Sequence, residues 1–201
     1  TVQPGWMWGP RGEGYVTWAA EAEGSAPEAV RATLTSVPTR SRPAQDAEVD
    51  ATLSALGWNR SELDAALPPH VAFGGNEHLV LAAGSSARLA DLDYDFEALA
   101  GVMRQYGWTT VHLVWRESAD RFHARDPFPV GGVVEDPATG AAAAAFGGYL
   151  RTLGLLPAAG VVAIRQGEDM GRPSDLLIEA EPGGARIRVT GHAVRITDRQ
   201  G

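Results

Sequence analysis

An α/β fold in which a bent, mixed or antiparallel sheet wraps around one central helix is predicted by three observations on the 201-residue sequence. After Gly140 no charged residue occurs for ten positions, and nearly every side chain there is small. Short alternating or apolar runs bounded by turn formers recur before and after that segment. Two further segments repeat apolar residues at helical spacing and end in glycine.

A helix that is apolar on every face must be enclosed by protein, and small side chains let surrounding strands approach its axis closely. The spacing places this helix at about 139–153. Taken alone, the segment also reads as an ordinary packed core helix with a proline-containing start.

The other elements follow in order. Residues 14–18 and 30–34 alternate at period two around the turn formers of 23–27, which predicts antiparallel strands. Residues 35–43 read as a polar, proline-bounded extended segment. From Asp46, Val49, Leu53 and Leu56 recur at helical spacing before Gly57, predicting a helix and a boundary that divides the chain into 1–48 and 49–201. Residues 79–83 read as a buried strand entered through a glycine turn, Phe96 to Gly107 as a helix with a glycine end, and 111–115 as a second apolar strand. The Pro- and Gly-rich stretch 124–132 reads as a loop delivering the chain to Asp136. Strands are expected at 161–165, 176–180, 186–190 and 193–196, with a turn at Pro182-Gly183-Gly184.

Composition narrows the function classes. An apolar content of 44% provides for a substantial core. The formal charge of -8 disfavours a nucleic-acid partner, since such partners need a basic face, and no run is long enough for a membrane span. A small molecule fits better. All 17 basic residues are arginine, which excludes a Schiff-base lysine, and the absence of cysteine excludes thiolate nucleophiles, disulfides and thiolate metal sites. His70, His112 and His123 show no ligand spacing, so no metal is expected. The lack of cysteine is compatible with a cytoplasmic setting.

Chemistry is expected at the start of the central helix. Asp136 and Thr139 are suited to cap it, Pro137 sits where a missing N–H costs nothing, and Gly140 leaves backbone amides unshielded. Free amides and the positive end of the helix dipole favour an anion, so the first turn reads as a carboxylate site, with Asp136 beside it as an acid or base.

The run Asp136-Pro137-Ala138-Thr139-Gly140 resembles the D-P-A-T-G-S motif of PhzF-like (phenazine biosynthesis-like) proteins, a branch of the diaminopimelate-epimerase-like fold. Gln166-Gly167, Met170-Gly171-Arg172-Pro173-Ser174 and residues 191–194 follow in the order that family shows. Upstream, Gly75-Asn76-Glu77-His78 resembles the G-N-P-H element of diaminopimelate epimerases, and Arg125 stands where relatives have an arginine ahead of the helix. The resemblance implies two similar halves, each a bent sheet around one helix, with 1–48 the remnant of the first half, 49–201 the second, and the last strand returning to the first. It implies an isomerase or epimerase that moves a proton on a small amino or hydroxy acid without metal or cofactor, as a cytoplasmic homodimer. Asp136 is then the catalytic residue. Gly75, Asn76, His78, Pro137, Ala138, Thr139, Gly140 and Ala141 are then the substrate-binding set, with Gly75, Asn76 and His78 on the rim.

Two departures from the family pattern carry consequences. Ala141 stands where the motif has serine, removing a hydroxyl. The N-S-E-T-like glutamate segment and G-H-A-T-like segment of the first half do not occur within residues 1–60, so the active site is expected to be incomplete, with a separate N-terminal fragment as one partner that completes it. Without cysteine, the thiol-pair chemistry of diaminopimelate epimerases and proline racemases does not apply. A non-catalytic small-anion-binding or interaction module is the competing expectation. Arg172 is expected to clamp carbonyls or a carboxylate, His192 to sit in a glycine turn, and Trp6, Trp8 and Trp18 to be core or interface residues.

Overall fold

The computed structural model describes residues 17–22, 30–181 and 183–193. Trp6, Trp8 and the expected turn at 23–27 lie outside the described residues, as do parts of the strands expected at 14–18 and 193–196.

Among the described residues, eleven strands form one mixed sheet. Strand β1 (Thr17–Ala22) pairs antiparallel with β2 (Val30–Thr35), followed in the chain by the edge strand β3 (Arg40–Pro43). Helix α1 (Asp46–Leu56) opens with a capping box between Gln45 and Glu48 and stops at Gly57. Next come the hairpin β4 (His70–Phe73) and β5 (Glu77–Ala82), the short helix α2 (Ser86–Ala90), and α3 (Phe96–Tyr106), which ends at Gly107. Strand β6 (Thr110–Arg116) runs parallel to β5 and antiparallel to β7 (Arg121–Pro127), which also pairs with the two-residue β8 (Glu135–Asp136). Helix α4 (Gly140–Thr152) precedes β9 (Val161–Gln166), β10 (Ser174–Ala180) and β11 (Ile187–Ala193).

The strand order is β1-β2-β11-β10-β9-β7-β6-β5-β4-β3, with β8 beside β7. Helix α4 touches strands from both halves of that path, β10 and β11 on one side and β3, β4 and β5 on the other, so the sheet curls around it. Its residues 142–150 are all buried. Small side chains make the curl possible. A Cβ on Gly140 would stand 2.6 Å from Leu34 Cδ2, and the Gly74 backbone lies against the backbone of Ala141 and Ala145.

The alternation of each strand sorts residues into two cores. Val80, Ala82, Val114, Phe122, Ala124, Ile164, Ile178, Ile187 and Val189 face α4. On the opposite face, Leu79, Leu81, Val111 and Leu113 meet α1 and α3 through Val49, Leu53, Leu99 and Met103. Burial of this extent is the main stabilising term, at roughly 25 cal/mol per Å² of apolar surface.

Two expectations are corrected here. Residues 124–127, expected in the loop, continue a strand that begins at Arg121: Phe122, Ala124 and Asp126 point inward while His123 and Arg125 alternate outward, and the charged outward set hides the pattern. His192 lies within β11 opposite Arg31, not in a turn, because β11 runs unbroken through Gly191 to Ala193.

Candidate active site

Helix α4 begins where β8 ends. The sheet encloses its body, but the chain from Asp136 to Ala141 comes to the surface: Asp136, Pro137, Gly140 and Ala141 are half-buried and Ala138 is exposed. The first turn is thus the accessible end of a buried helix.

Three side chains lock this turn. Thr139 Oγ1 donates to Asp136 Oδ2 at 2.7 Å. Gln166, fully buried at the end of β9, accepts from the Thr139 amide through Oε1 at 3.1 Å. Its Nε2 donates to the Asp136 carbonyl at 2.7 Å and to Thr139 Oγ1 at 3.0 Å. Neither Asp136 nor Thr139 caps a helix amide with its side chain, contrary to the expectation; the two side chains bond to each other instead. The N–H groups of Gly140, Ala141 and Ala142 find no acceptor among the described residues, and the first intrahelical bond runs from Ala143 to the Thr139 carbonyl. Those amides and the helix dipole give the first turn a positive end, partly open to solvent at Gly140 and Ala141.

The neighbours of this turn come from far along the chain. Gly74 accepts no side chain because its Cβ would meet Ala145 N at 2.6 Å and Ala141 O at 2.9 Å, which brings the Gly74-Gly75-Asn76 turn beside the start of α4. Gly167, at φ +76°, packs under the carbonyls of Arg172 and Pro137. Arg172 therefore approaches the site with its backbone. Its side chain is exposed and makes no hydrogen bond or ion pair among the described residues, so it clamps no carbonyl there.

His78 is not on a rim. The alternation of β5 turns it inward with Val80 and Ala82, it has no solvent exposure, and burial, with nearby His112 as a lesser cause, pushes its imidazole down to about 3. A surface groove of about 410 Å³ lies on the outer face of β7, β9 and β10, away from α4. Its charged groups pair with one another, Arg165 with Asp175 and His123 with Glu117, which leaves little to engage a ligand. Among the described residues no group of three or more His, Cys, Asp or Glu side chains is placed to hold a metal ion, and no helix is long and apolar enough to cross a membrane.

The family profile of the phenazine biosynthesis-like proteins matches residues 11–199. The chain belongs to that family. Among relatives, an uncharacterized isomerase of Deinococcus radiodurans is 33% identical over 136 residues, covering 66% of this chain and 44% of that protein. The trans-2,3-dihydro-3-hydroxyanthranilate isomerase of Pseudomonas chlororaphis is 29% identical over 161 residues, covering 79% of this chain and 54% of that enzyme. The chain thus spans about half the length of these relatives. In fold, it matches a PhzF-family phenazine biosynthesis protein of Bacillus anthracis (TM-score 0.69, 14% identity, 92% of this chain and 65% of that one). A protein described as a predicted epimerase from Pseudomonas aeruginosa is similarly close (TM-score 0.68, 24% identity, 92% and 64%). The expected curl of a mixed sheet around one helix is thereby a family trait as well as an observed one.

Sequence reasoning placed the helix start and its motif but missed the clasp made by Gln166 and the contact made by Gly74. Gln166-Gly167 carried a signal only as a motif companion; the amide's three bonds depend on β9 passing the start of α4, which no local pattern reveals.

Proposed function

We propose that this chain carries the helix-start half of an isomerase or epimerase site that moves a proton on a small amino or hydroxy acid without metal or cofactor. The observation that carries the reading is the accessible first turn of a buried helix, where the amides of Gly140 and Ala141 have no acceptor among the described residues and Asp136 is locked beside them. Those amides hold the substrate carboxylate. Asp136 gives or takes the proton at the neighbouring carbon, and Thr139 fixes its carboxyl. Pro137 and Ala138 shape the approach, and Gly75 and Asn76 line the adjacent wall.

The second acid or base comes from outside the described residues, on a glutamate-bearing segment of the first half. The division at residue 48 belongs to the same proposal, and the pairing of β2 with β11 supports a strand shared between the halves. A cytoplasmic homodimer is carried from the family resemblance. The absence of a hydroxyl at Ala141 supports a second reading, a module that binds carboxylates without turning them over.

Solvent deuterium exchange decides between them. The full-length protein, given trans-2,3-dihydro-3-hydroxyanthranilate and a panel of amino and hydroxy acids in deuterated water, is expected to incorporate deuterium into at least one of them and to lose this on Asp136→Asn. Carboxylate binding with no exchange into any of them overturns the enzymatic reading.

A further inference from the structure

The inner face of the sheet holds a second polar cluster. β5, β6 and β7 turn His78, Thr110, His112 and Asp126 toward α4 among Val80, Ala82, Val114, Phe122 and Ala124, and all four polar residues are at most 1% exposed. Thr110 Oγ1 donates to Asp126 Oδ1 at 2.9 Å. With its proton committed there, the same oxygen accepts from His78 Nδ1 at 2.8 Å. His112 Nδ1 lies 3.0 and 3.1 Å from the two carboxylate oxygens of Asp126, and its ring meets that of Phe146 of α4 at a tilt, with centroids 5.3 Å apart. The Nε2 atoms of both histidines have no partner among the described residues, so each ring is held by its Nδ1 contact.

A carboxylate enclosed this way is costly unless its partners hold it rigidly, and an apolar side chain would fill the same space at lower cost. The reason for retaining it lies across the strand. Asp126 is directly opposite Asp136 in the β7–β8 ladder. Opposed residues share a face, with Cβ atoms about 4.5–5.5 Å apart. Strand β8 is two residues long and among the described strands pairs with β7 alone, so β7 sets its register, while Thr139 and Gln166 hold its end at Asp136.

We infer that Asp126 is a positioning residue: held by Thr110 and His112, it fixes the inner face of β7 and thereby aims Asp136 at the amides of Gly140 and Ala141. This rests on the reading of Asp136 as the proton-handling group. In the full-length protein, Asp126→Ala is expected to lower kcat for the exchanging acid by at least about tenfold per folded molecule, with KM changed by less than about twofold, because a misaimed group slows the chemical step while the amides still bind carboxylate. Asp126→Asn, which still accepts from Thr110, is expected to restore most of kcat. Thr110→Val, nearly isosteric, removes one tether and decides the matter if Asp126→Ala does not fold; its kcat within about twofold of wild type overturns the inference. A readout independent of turnover separates the two readings. The carboxyl ¹³C signal of Asp136 and the amide signals of Gly140 and Ala141 are expected to shift in Thr110→Val and to stay fixed in Asp120→Asn, a change at an exposed residue in the bend between β6 and β7. Unmoved signals in Thr110→Val overturn the positioning role, whereas shifted signals in a protein that exchanges no substrate overturn only the enzymatic reading.

Discussion

Gln166 and Thr139 are joined by two hydrogen bonds, the Thr139 amide donating to Oε1 at 3.1 Å and Nε2 donating to Thr139 Oγ1 at 3.0 Å. This clasp ties the end of β9 to the start of α4 and occupies the amide that would otherwise be the first free donor of the helix. Gln166→Leu leaves the Thr139 N–H without its acceptor and is expected to cost about 1–3 kcal/mol, read as a lower urea midpoint. Gln166→Glu keeps the acceptor but loses the donor and sets a like charge beside Asp136. It is expected to weaken carboxylate binding more than it lowers the midpoint; equal losses in both would remove the electrostatic part of the argument.

Gly74 and Gly101 make a matched pair for testing how tightly the sheet grips α4. An alanine Cβ at Gly74 meets backbone atoms of Ala141 and Ala145 within 2.9 Å, and backbone cannot step aside as a side chain can. Gly74→Ala is expected to destabilise by about 1–3 kcal/mol and to perturb carboxylate binding, because the displaced turn borders the helix start. Gly101, exposed within α3, has open space around its Cβ. Gly101→Ala is expected to stabilise by up to about 1 kcal/mol through helix propensity alone. Thermal unfolding of the two variants should move in opposite directions.

The titration of His78 gives a pH signature. Burial lowers its imidazole from 6.5 to about 3 in the fold, so between those values the unfolded chain binds a proton that the folded chain excludes. Stability through this residue is therefore undiminished above pH 6.5 and falls steadily as pH drops toward 3. His78→Asn offers Thr110 a donor of similar reach and does not titrate. Its unfolding free energy is expected to fall less steeply across that window, by up to about 1.4 kcal/mol per pH unit. Parallel curves for wild type and variant would show that His78 is already protonated in the fold.

Local pattern made much of this architecture legible. The helix expected at 139–153 is α4 at Gly140–Thr152, and the glycine stops at Gly57 and Gly107 end α1 and α3 as read. Those signals are short-range, set by propensity and by the absence of charge. What escaped was long-range or disguised. β4 is four residues long and begins with a histidine, and β7 alternates charged groups outward, so neither shows a clean apolar period. The clasp by Gln166 and the cluster around Asp126 join residues 27 and 14 to 32 positions apart, respectively, and arise only once the strands are ordered.

The outer face of the β7–β8 ladder is held by Arg125, whose Nη2 donates to Glu135 Oε2 at 2.7 Å and whose Nη1 donates to the Ala90 carbonyl at 2.8 Å. The two side chains are 12% and 4% exposed, so this pair is largely withdrawn from solvent screening. Arg125→Gln strands the Glu135 carboxylate and is expected to cost about 3–5 kcal/mol. Arg125→Met combined with Glu135→Leu removes both charges and should recover most of that loss. If β8 depends on this outer pair to stay in register, the double variant will regain stability but not carboxylate binding at the helix start. If the inner tether through Asp126 suffices, both will return together. Urea midpoints and carboxylate titration on the same two variants tell which face of β7 holds Asp136 in place.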